Sequence, residues 1–254
     1  MILDLFRLNG KAALVTGASR GIGRAIALAL AEAGADVALA ARSADDLASA
    51  ATEIRALGRR ALVVPTDVTS IEQIERMVDL TLEGLGRLDV LVNGAGIPGR
   101  KPTIELTEAD YNRIYDTNIK SVTFCCAIAG RHLVAQHSGC VINICSLTTT
   151  IGLPGRALYG PTKGAVGQLT KALAVEWGPS GVRVNAMAPG WILTDLSRGA
   201  LDDPAFRQKV LDRTPLGRIG YPDDLKGIAV FLASDAAAFV SGQIVAVDGG
   251  YLAS

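Results

Sequence analysis

The sequence predicts a doubly wound α/β domain: a parallel sheet of about seven strands with helices on both faces. Three observations carry this. Short apolar runs alternate with longer stretches of helical periodicity along the whole chain. The runs are apolar almost throughout, as strands covered on both faces must be. The first run opens into a glycine-rich turn and a helix start, the way a βαβ unit begins. Hydrophobic residues make up 49% of the 254 positions and charged residues 20%, enough for a large core. No repeat, low-complexity segment or linker interrupts the pattern, so residues 1–254 read as one domain.

The elements follow in order. Residues 11–16 (KAALVT) form the first strand, and a helix runs from the glycine turn to Ala33, closed by Gly34. The second strand is 36–41 (DVALAA). Ser43 and Asp46 have capping-box spacing at the head of the next helix, which ends near Gly58. The third strand is 61–65, and Ser70 caps a helix whose Ile71, Ile74, Met77, Val78 and Leu85 keep the 3.6-residue period. The fourth strand is 88–92. Two helical stretches follow, at about 107–117 and 118–137, then a strand at 140–145, a helix at 159–177 and a strand at 182–187. Residues 191–220 are irregular and rich in turn formers. Pro222 opens a helix at its first position, running to about Ala233. Residues 243–247 form the last strand.

Composition excludes several classes. The formal net charge is +0 and there is no basic run, which argues against nucleic acid as a partner. No apolar run approaches the ~18 residues of a membrane span, and the first residues, MILDLFRLNGK, lack the apolar core of a signal peptide. Cys125, Cys126, Cys140 and Cys145 form no C-x-x-C, and the only histidines are His132 and His137, so no metal site is expected. The cysteines read as reduced, buried thiols of a cytoplasmic protein.

Two stretches carry chemistry. Gly17, Gly21 and Gly23 lie between the first strand and the first helix in a G-x-x-x-G-x-G pattern. Glycines let backbone approach a pyrophosphate, and a helix N-terminus supplies N–H groups and a positive dipole end. Gly17-Ala18-Ser19-Arg20-Gly21 also matches the G-x-S-x-G turn of α/β-hydrolases. That chemistry needs a later acid and histidine at strand ends, whereas His132 and His137 fall at the end of a predicted helix. The second stretch runs from Ser146 to Lys163. Tyr159 and Lys163 are four residues apart, one turn of a helix, on one face. A cation beside a phenol favours the phenolate, so the pair can pass a proton to or from a carbonyl or carbinol oxygen. Ser146, at the tip of the 140–145 strand, brings a hydroxyl to the same place.

Taken together these residues resemble the short-chain dehydrogenase/reductase family over the whole chain. The likeness rests on Thr16-Gly17-x-x-x-Gly21-Ile22-Gly23, Asp67, Asn93-Gly94-Ala95-Gly96, Asn118, Ser146, Tyr159-x-x-x-Lys163 and Pro189-Gly190, in that order. Gly94 departs from it, standing where the family usually has a second Asn. The resemblance implies a Rossmann-type fold and four catalytic residues. Tyr159 is the implied acid/base, and Lys163 tunes it and holds the nicotinamide ribose. Ser146 bonds the substrate oxygen, and Asn118 orders a water that links Lys163 to solvent. It implies cofactor contacts from Gly17, Ser19, Arg20, Gly21, Ile22 and Gly23, from Asp67 and Val68 at the adenine, and from Asn93 through Gly96. Tyr159, Lys163, Pro189, Gly190, Ile192 and Thr194 complete that set. It further implies a homotetramer joined through the helices at 118–137 and 159–177, where Ala165, Ala172 and Ala174 are small enough for close approach.

Cofactor choice is read from the second strand. It ends in Ala40-Ala41-Arg42 with no acid for a ribose 2′-hydroxyl, and Arg20 lies on the same side. Two guanidiniums suit a 2′-phosphate, so NADP is expected, with NAD as the alternative. Residues 191–220 follow a strand's C-terminal end and read as a substrate lid. Its Trp191 and Leu193 are apolar, and Arg198, Arg207, Lys209, Arg213 and Arg218 make its later part basic. Thr148, Thr149 and Thr150 offer hydroxyls opposite, and Leu153 adds an apolar wall. The expected substrate is a small-molecule carbonyl or alcohol: a sugar, sugar acid or polyol. The last third of the chain is also similar to 3-oxoacyl-carrier-protein reductases. A nucleotide-binding regulatory protein without turnover is the reading from another class.

Overall fold

The computed structural model describes residues 1–254. Seven parallel strands form one sheet in the order β3-β2-β1-β4-β5-β6-β7. They are β1 (Ala12–Thr16), β2 (Asp36–Ala41), β3 (Ala61–Pro65), β4 (Val90–Asn93), β5 (Gly139–Ile144), β6 (Val182–Pro189) and β7 (Ile244–Val247). Helices α1 (Gly21–Glu32), α2 (Ala44–Ala56) and α3 (Ile71–Leu85) connect the first four strands. Beyond β4 come α4 (Glu108–Tyr115), α5 (Ser121–Ala135) and α6 (Tyr159–Trp177).

The period-2 geometry of a strand splits β1 between two cores. Ala13 and Val15 face Ile26, Leu30, Leu47, Leu225 and Ala229, the side of α1 and α2. Ala12 and Leu14 face Ile74, Met77, Val122, Val166 and Trp177, the side of α3, α5 and α6. Each core holds 26 buried residues, so the sheet is dry on both faces. Strand order reverses between β1 and β4, and such a switch point opens a crevice at the strands' C-terminal ends.

Several boundaries differ from the sequence reading. The fourth strand begins at Val90 because Asp89 is diverted: its buried carboxylate accepts the Ala12 N–H at 2.8 Å and two bonds from Arg87 at 2.7 Å. The helical stretches around 107–137 are not separate. A π turn over Asp116–Lys120 joins α4 to α5, and Asn118 lies inside it, fully buried. Such turns insert a residue into a helix and re-aim its side chains. The 191–220 segment is not irregular throughout. It contains α7 (Asp195–Leu201) and α8 (Pro204–Asp212). The signal for α8 was present in Asp203-Pro204, where Asp203 accepts the N–H groups of Ala205 and Phe206. Leu147, Leu201, Val210, Ile219 and Tyr251 form a small third core, which ties the 191–220 segment to the C-terminal turn. Pro222 opens a 3₁₀ turn, and α9 (Lys226–Ala233) follows it.

Candidate active site

A cleft of about 960 Å³ lies across the C-terminal ends of the strands. Its floor is backbone packed on backbone. A Cβ on Gly17 would stand 2.7 Å from the Gly94 carbonyl oxygen, and one on Gly94 would stand 2.7 Å from that of Thr16. A Cβ on Gly23 would overlap the Gly17 carbonyl. Gly94, the departure from the family pattern, therefore lets the β4 loop sit closer to β1 than a side chain allows. The buried Thr16 hydroxyl fastens the two loops, accepting the N–H groups of Gly94 and Ala95 at 3.1 and 3.3 Å.

Ser146, Tyr159 and Lys163 all line this cleft. Ser146 lies just beyond β5, which ends at Ile144 and leaves Cys145 outside it. The Ser146 Oγ accepts the Thr148 N–H at 3.2 Å, capping a 3₁₀ turn. Tyr159 opens α6, and Lys163 follows one turn later. Lys163 is 4% exposed. Its Nζ donates to the Ile144 carbonyl at 2.7 Å and stands 5.8 Å from the centre of the Tyr159 ring. The ammonium is thus anchored to the end of β5 beside the phenol. Asn118 is bound on both sides of its amide by Ile97: Oδ1 accepts the Ile97 N–H at 2.8 Å, and Nδ2 donates to the Ile97 carbonyl at 3.0 Å. A Cβ on Gly96 would lie 3.5 Å from Asn118 Oδ1 and 3.7 Å from Lys163 Nζ, so the two groups flank the same glycine.

At the far end, the cleft is lined by Ser19, Arg20, Ile22, Arg42, Asp67 and Val68. Asp67 also caps its own turn, accepting the Thr69 N–H and hydroxyl at 2.9 and 2.8 Å. Those bonds, the backbone one foremost, hold its carboxyl below the usual range despite partial burial. Arg20 is turned toward Asp195 of α7, 3.6 Å away. Arg42 acts electrostatically on Asp67, and Asp46 lines the same cleft. Pro189, Gly190, Ile192 and Thr194 line the wall.

Some expected contacts are not made. Asn93 does not reach the cleft: its Nδ2 donates to Asn143 Oδ1 at 2.8 Å and contacts Cys126 Sγ at 3.2 Å, deep between β4 and β5. It is the last residue of β4, and alternation turns it into the sheet's packed face. Leu193 faces the third core instead of the cleft. Of the three threonines only Thr148 lines the cleft; the Thr149 hydroxyl donates to the Lys163 carbonyl, and Thr150 is exposed. None of the five basic lid residues lines the cleft. Arg218 forks onto Asp224 with two bonds of 2.7 Å, and Arg213 lies over the Tyr251 ring. The charge there comes from Arg113, Asp116 and Arg156, which sequence reading passed over. Only Arg156, within the Ser146–Lys163 stretch, carried a positional signal. Thr148, Leu153 and Trp191 line the same end. Thr148 Oγ1 and Trp191 Nε1 are buried without a partner. The hydrolase constellation is not assembled, since neither His132 nor His137 lines the cleft.

A glycine loop on a switch point, with a Ser, Tyr and Lys at one end of the same cleft, defines a nucleotide-dependent oxidoreductase class. The profile of a family described as enoyl-(acyl carrier protein) reductase matches residues 17–252. The chain belongs to this family of short-chain dehydrogenases/reductases. It is 41% identical to gluconate 5-dehydrogenase of Gluconobacter oxydans over 251 residues, 99% of this chain and 98% of that one. It is 39% identical to a 3-oxoacyl-[acyl-carrier-protein] reductase of Staphylococcus aureus, over 94% of this chain and 97% of that one. Its fold matches a gluconate 5-dehydrogenase from Burkholderia cenocepacia, solved in complex with NADP and tartrate. That match has a TM-score of 0.96 and 39% identity over 100% of both chains.

The four cysteines are free and no more than 2% exposed. Burial raises the Cys126 thiol to about 12 and that of Cys140 to about 11, and raises Cys125 and Cys145 as well. The thiolate is the reactive form. Iodoacetamide at pH 8 should therefore modify none of them in the folded protein and all of them in guanidinium, read by mass spectrometry. Rapid labelling of Cys145 in the native protein would contradict this burial.

Proposed function

We propose that the protein is an NADP(H)-dependent oxidoreductase that interconverts a secondary alcohol and a ketone of a sugar acid or related polyol. The observation that supports it best is the placement of Ser146, Tyr159 and Lys163 at one end of a cleft whose other end is the glycine loop and Arg42. The cleft suits a dinucleotide. Its glycine floor leaves room for a pyrophosphate at the N-terminus of α1, and the Arg42 side chain is exposed at the rim for a 2′-phosphate.

When bound, the nicotinamide supplies or accepts the hydride. The chain's own residues handle the oxygen. Tyr159 gives its phenolic proton to the carbonyl oxygen during reduction and takes it back during oxidation. Lys163 stands beside the ring to balance the phenolate charge. Ser146 donates to the same oxygen as negative charge develops there. The π turn and the Ile97 clamp hold Asn118 next to Lys163, on the side where a water chain would replace the proton. Thr148 and Trp191, with unpartnered polar atoms at the substrate end, suit a hydroxylated ligand. The relatives named for gluconate oxidation support that class. The likeness to a 3-oxoacyl reductase supports the thioester as a second reading. The four free thiols fit a reducing, cytoplasmic compartment.

A homotetramer is part of the proposal. Ala165 and Ala172 lie on the exposed side of α6 with Val175, which is 80% exposed, whereas Ala174 packs inward. Such a face suits a second copy. A monomeric mass by light scattering at micromolar concentration would remove it.

Two measurements test the chemistry. Following NADPH oxidation, a 5-keto sugar acid should be reduced faster than a 3-oxoacyl thioester, and Tyr159→Phe should lose at least ~10²-fold in turnover while still binding cofactor. A thioester preferred more than about tenfold reverses the substrate ranking, and near-normal turnover in Tyr159→Phe overturns the site. NADPH should bind more tightly than NADH, and Arg42→Ala should cost the phosphate-bearing form about tenfold or more. Equal affinities in the unmodified protein count against the 2′-phosphate site.

A further inference from the structure

The substrate end of the cleft holds a cation that the fold does not use. Arg156 lines the cleft three residues before Tyr159, and its guanidinium carbon stands 5.4 Å from the centre of the Tyr159 ring. It is partly buried and forms no salt bridge. The guanidinium's one hydrogen bond runs from Nη1 to the Gly99 carbonyl and is long, 3.4 Å. The carboxylates of α4 and the π turn are engaged elsewhere: Asp110 with Lys101 at 2.7 Å, and Asp116 with Lys120 at 3.1 Å. Desolvation disfavours its protonated form; the Tyr159 phenol acts against that, and Arg100, which lies over the Phe206 ring, acts with it. A guanidinium gives up water and accepts a like charge at some cost, and a chain that gained nothing from it would lose little by having a neutral residue there.

We propose that Arg156 is the specificity-determining residue that binds the substrate's carboxylate, so that the enzyme selects hydroxy and keto acids over neutral ketoses. This rests on the reading under Proposed function and names the ligand group within it. Guanidinium and carboxylate match as a two-bond fork, and partial burial strengthens the pairing relative to open solvent. The position also separates two anions. Arg156 touches the Tyr159 ring, so its anion must lie within a few bonds of the carbon that reacts. A sugar acid meets that condition. The phosphate of a phosphopantetheine arm is more than a dozen bonds from its 3-oxo carbon and does not.

The test is Arg156→Gln, which keeps a donor for the Gly99 carbonyl and removes the charge. With NADPH, kcat/KM is measured for a 5-keto-hexonate and for its neutral amide. In the unmodified enzyme the acid is preferred; in the variant the acid-to-amide ratio should fall roughly ten- to a hundredfold, the worth of one charge-assisted pairing. A residue that only braces the loop would lower both values together, and an unchanged ratio overturns the proposal. Should the unmodified enzyme reduce neither compound, it is Proposed function that has failed. Arg156 is then judged by calorimetry of D-gluconate binding to the NADP⁺-loaded protein. Binding weakened at least about tenfold in Arg156→Gln, with NADP⁺ affinity and thermal midpoint kept, supports the anion site. Equal binding, or none in the unmodified protein, overturns it.

Discussion

Everything at this site depends on backbone meeting backbone where the strand order reverses. Gly17, Gly23 and Gly94 bring the β1 and β4 loops together at distances no Cβ would permit, and the Thr16 hydroxyl locks them. Two consequences follow from this one contact. The α1 N-terminus is brought against the crevice with nothing above it, which is what a pyrophosphate requires. The β4 loop is also fixed, and through Ile97 it clamps Asn118. Sterics at three glycines thus set the positions of groups that are themselves far apart in sequence.

The end of the cleft that holds Tyr159 is built on a different anchor. Lys163 is nearly buried, and a buried ammonium needs compensation. The Ile144 carbonyl provides part of it by capping the end of β5 onto Nζ. That bond ties the first turn of α6 to the strand tip that also delivers Ser146. The hydroxyl, the phenol and the ammonium are therefore held by one strand end and one helix start, both regular elements, while residues 191–197 line the cleft's outer wall. Placing reacting groups on regular elements and specificity on loops is the usual division of such folds.

The balance of charge around the cleft departs from the simple picture of a basic lid. Two cations of residues 191–220 are engaged with the chain beyond them: Arg218 with Asp224, whose carboxyl the pairing holds at about 2, and Arg213 with Tyr251. The cationic side chains left lining that end of the cleft are Arg113 of α4 and Arg156 of the loop before Tyr159. Paired cations hold a lid together and do little for an anion; an unpaired one recognises it.

Much of the fold was legible in the sequence because it rests on local pattern. Apolar runs fixed the number of strands, and capping residues such as Ser43 and Ser70 fixed helix starts, which the structure reproduces. Spacing alone put Tyr159 and Lys163 on one face of a helix. Local pattern failed where a distant partner decides. Asp89 shortened β4 because Ala12 and Arg87 claim it, and Asn93 turned into the packed sheet to meet Asn143, fifty residues on. The π turn at Asn118 has no signature in a linear pattern, and the helices of the lid were hidden among its turn formers. Which arginine is paired and which is left open is likewise a question of neighbours. By itself the sequence determined the sheet and its helices and put Tyr159 and Lys163 one helical turn apart, since periodicity and residue type act over a few positions. Only the tertiary structure decided that Arg156 lines the cleft and that the five basic residues of 191–220 do not, because placement is settled by contacts between segments that the chain order does not reveal.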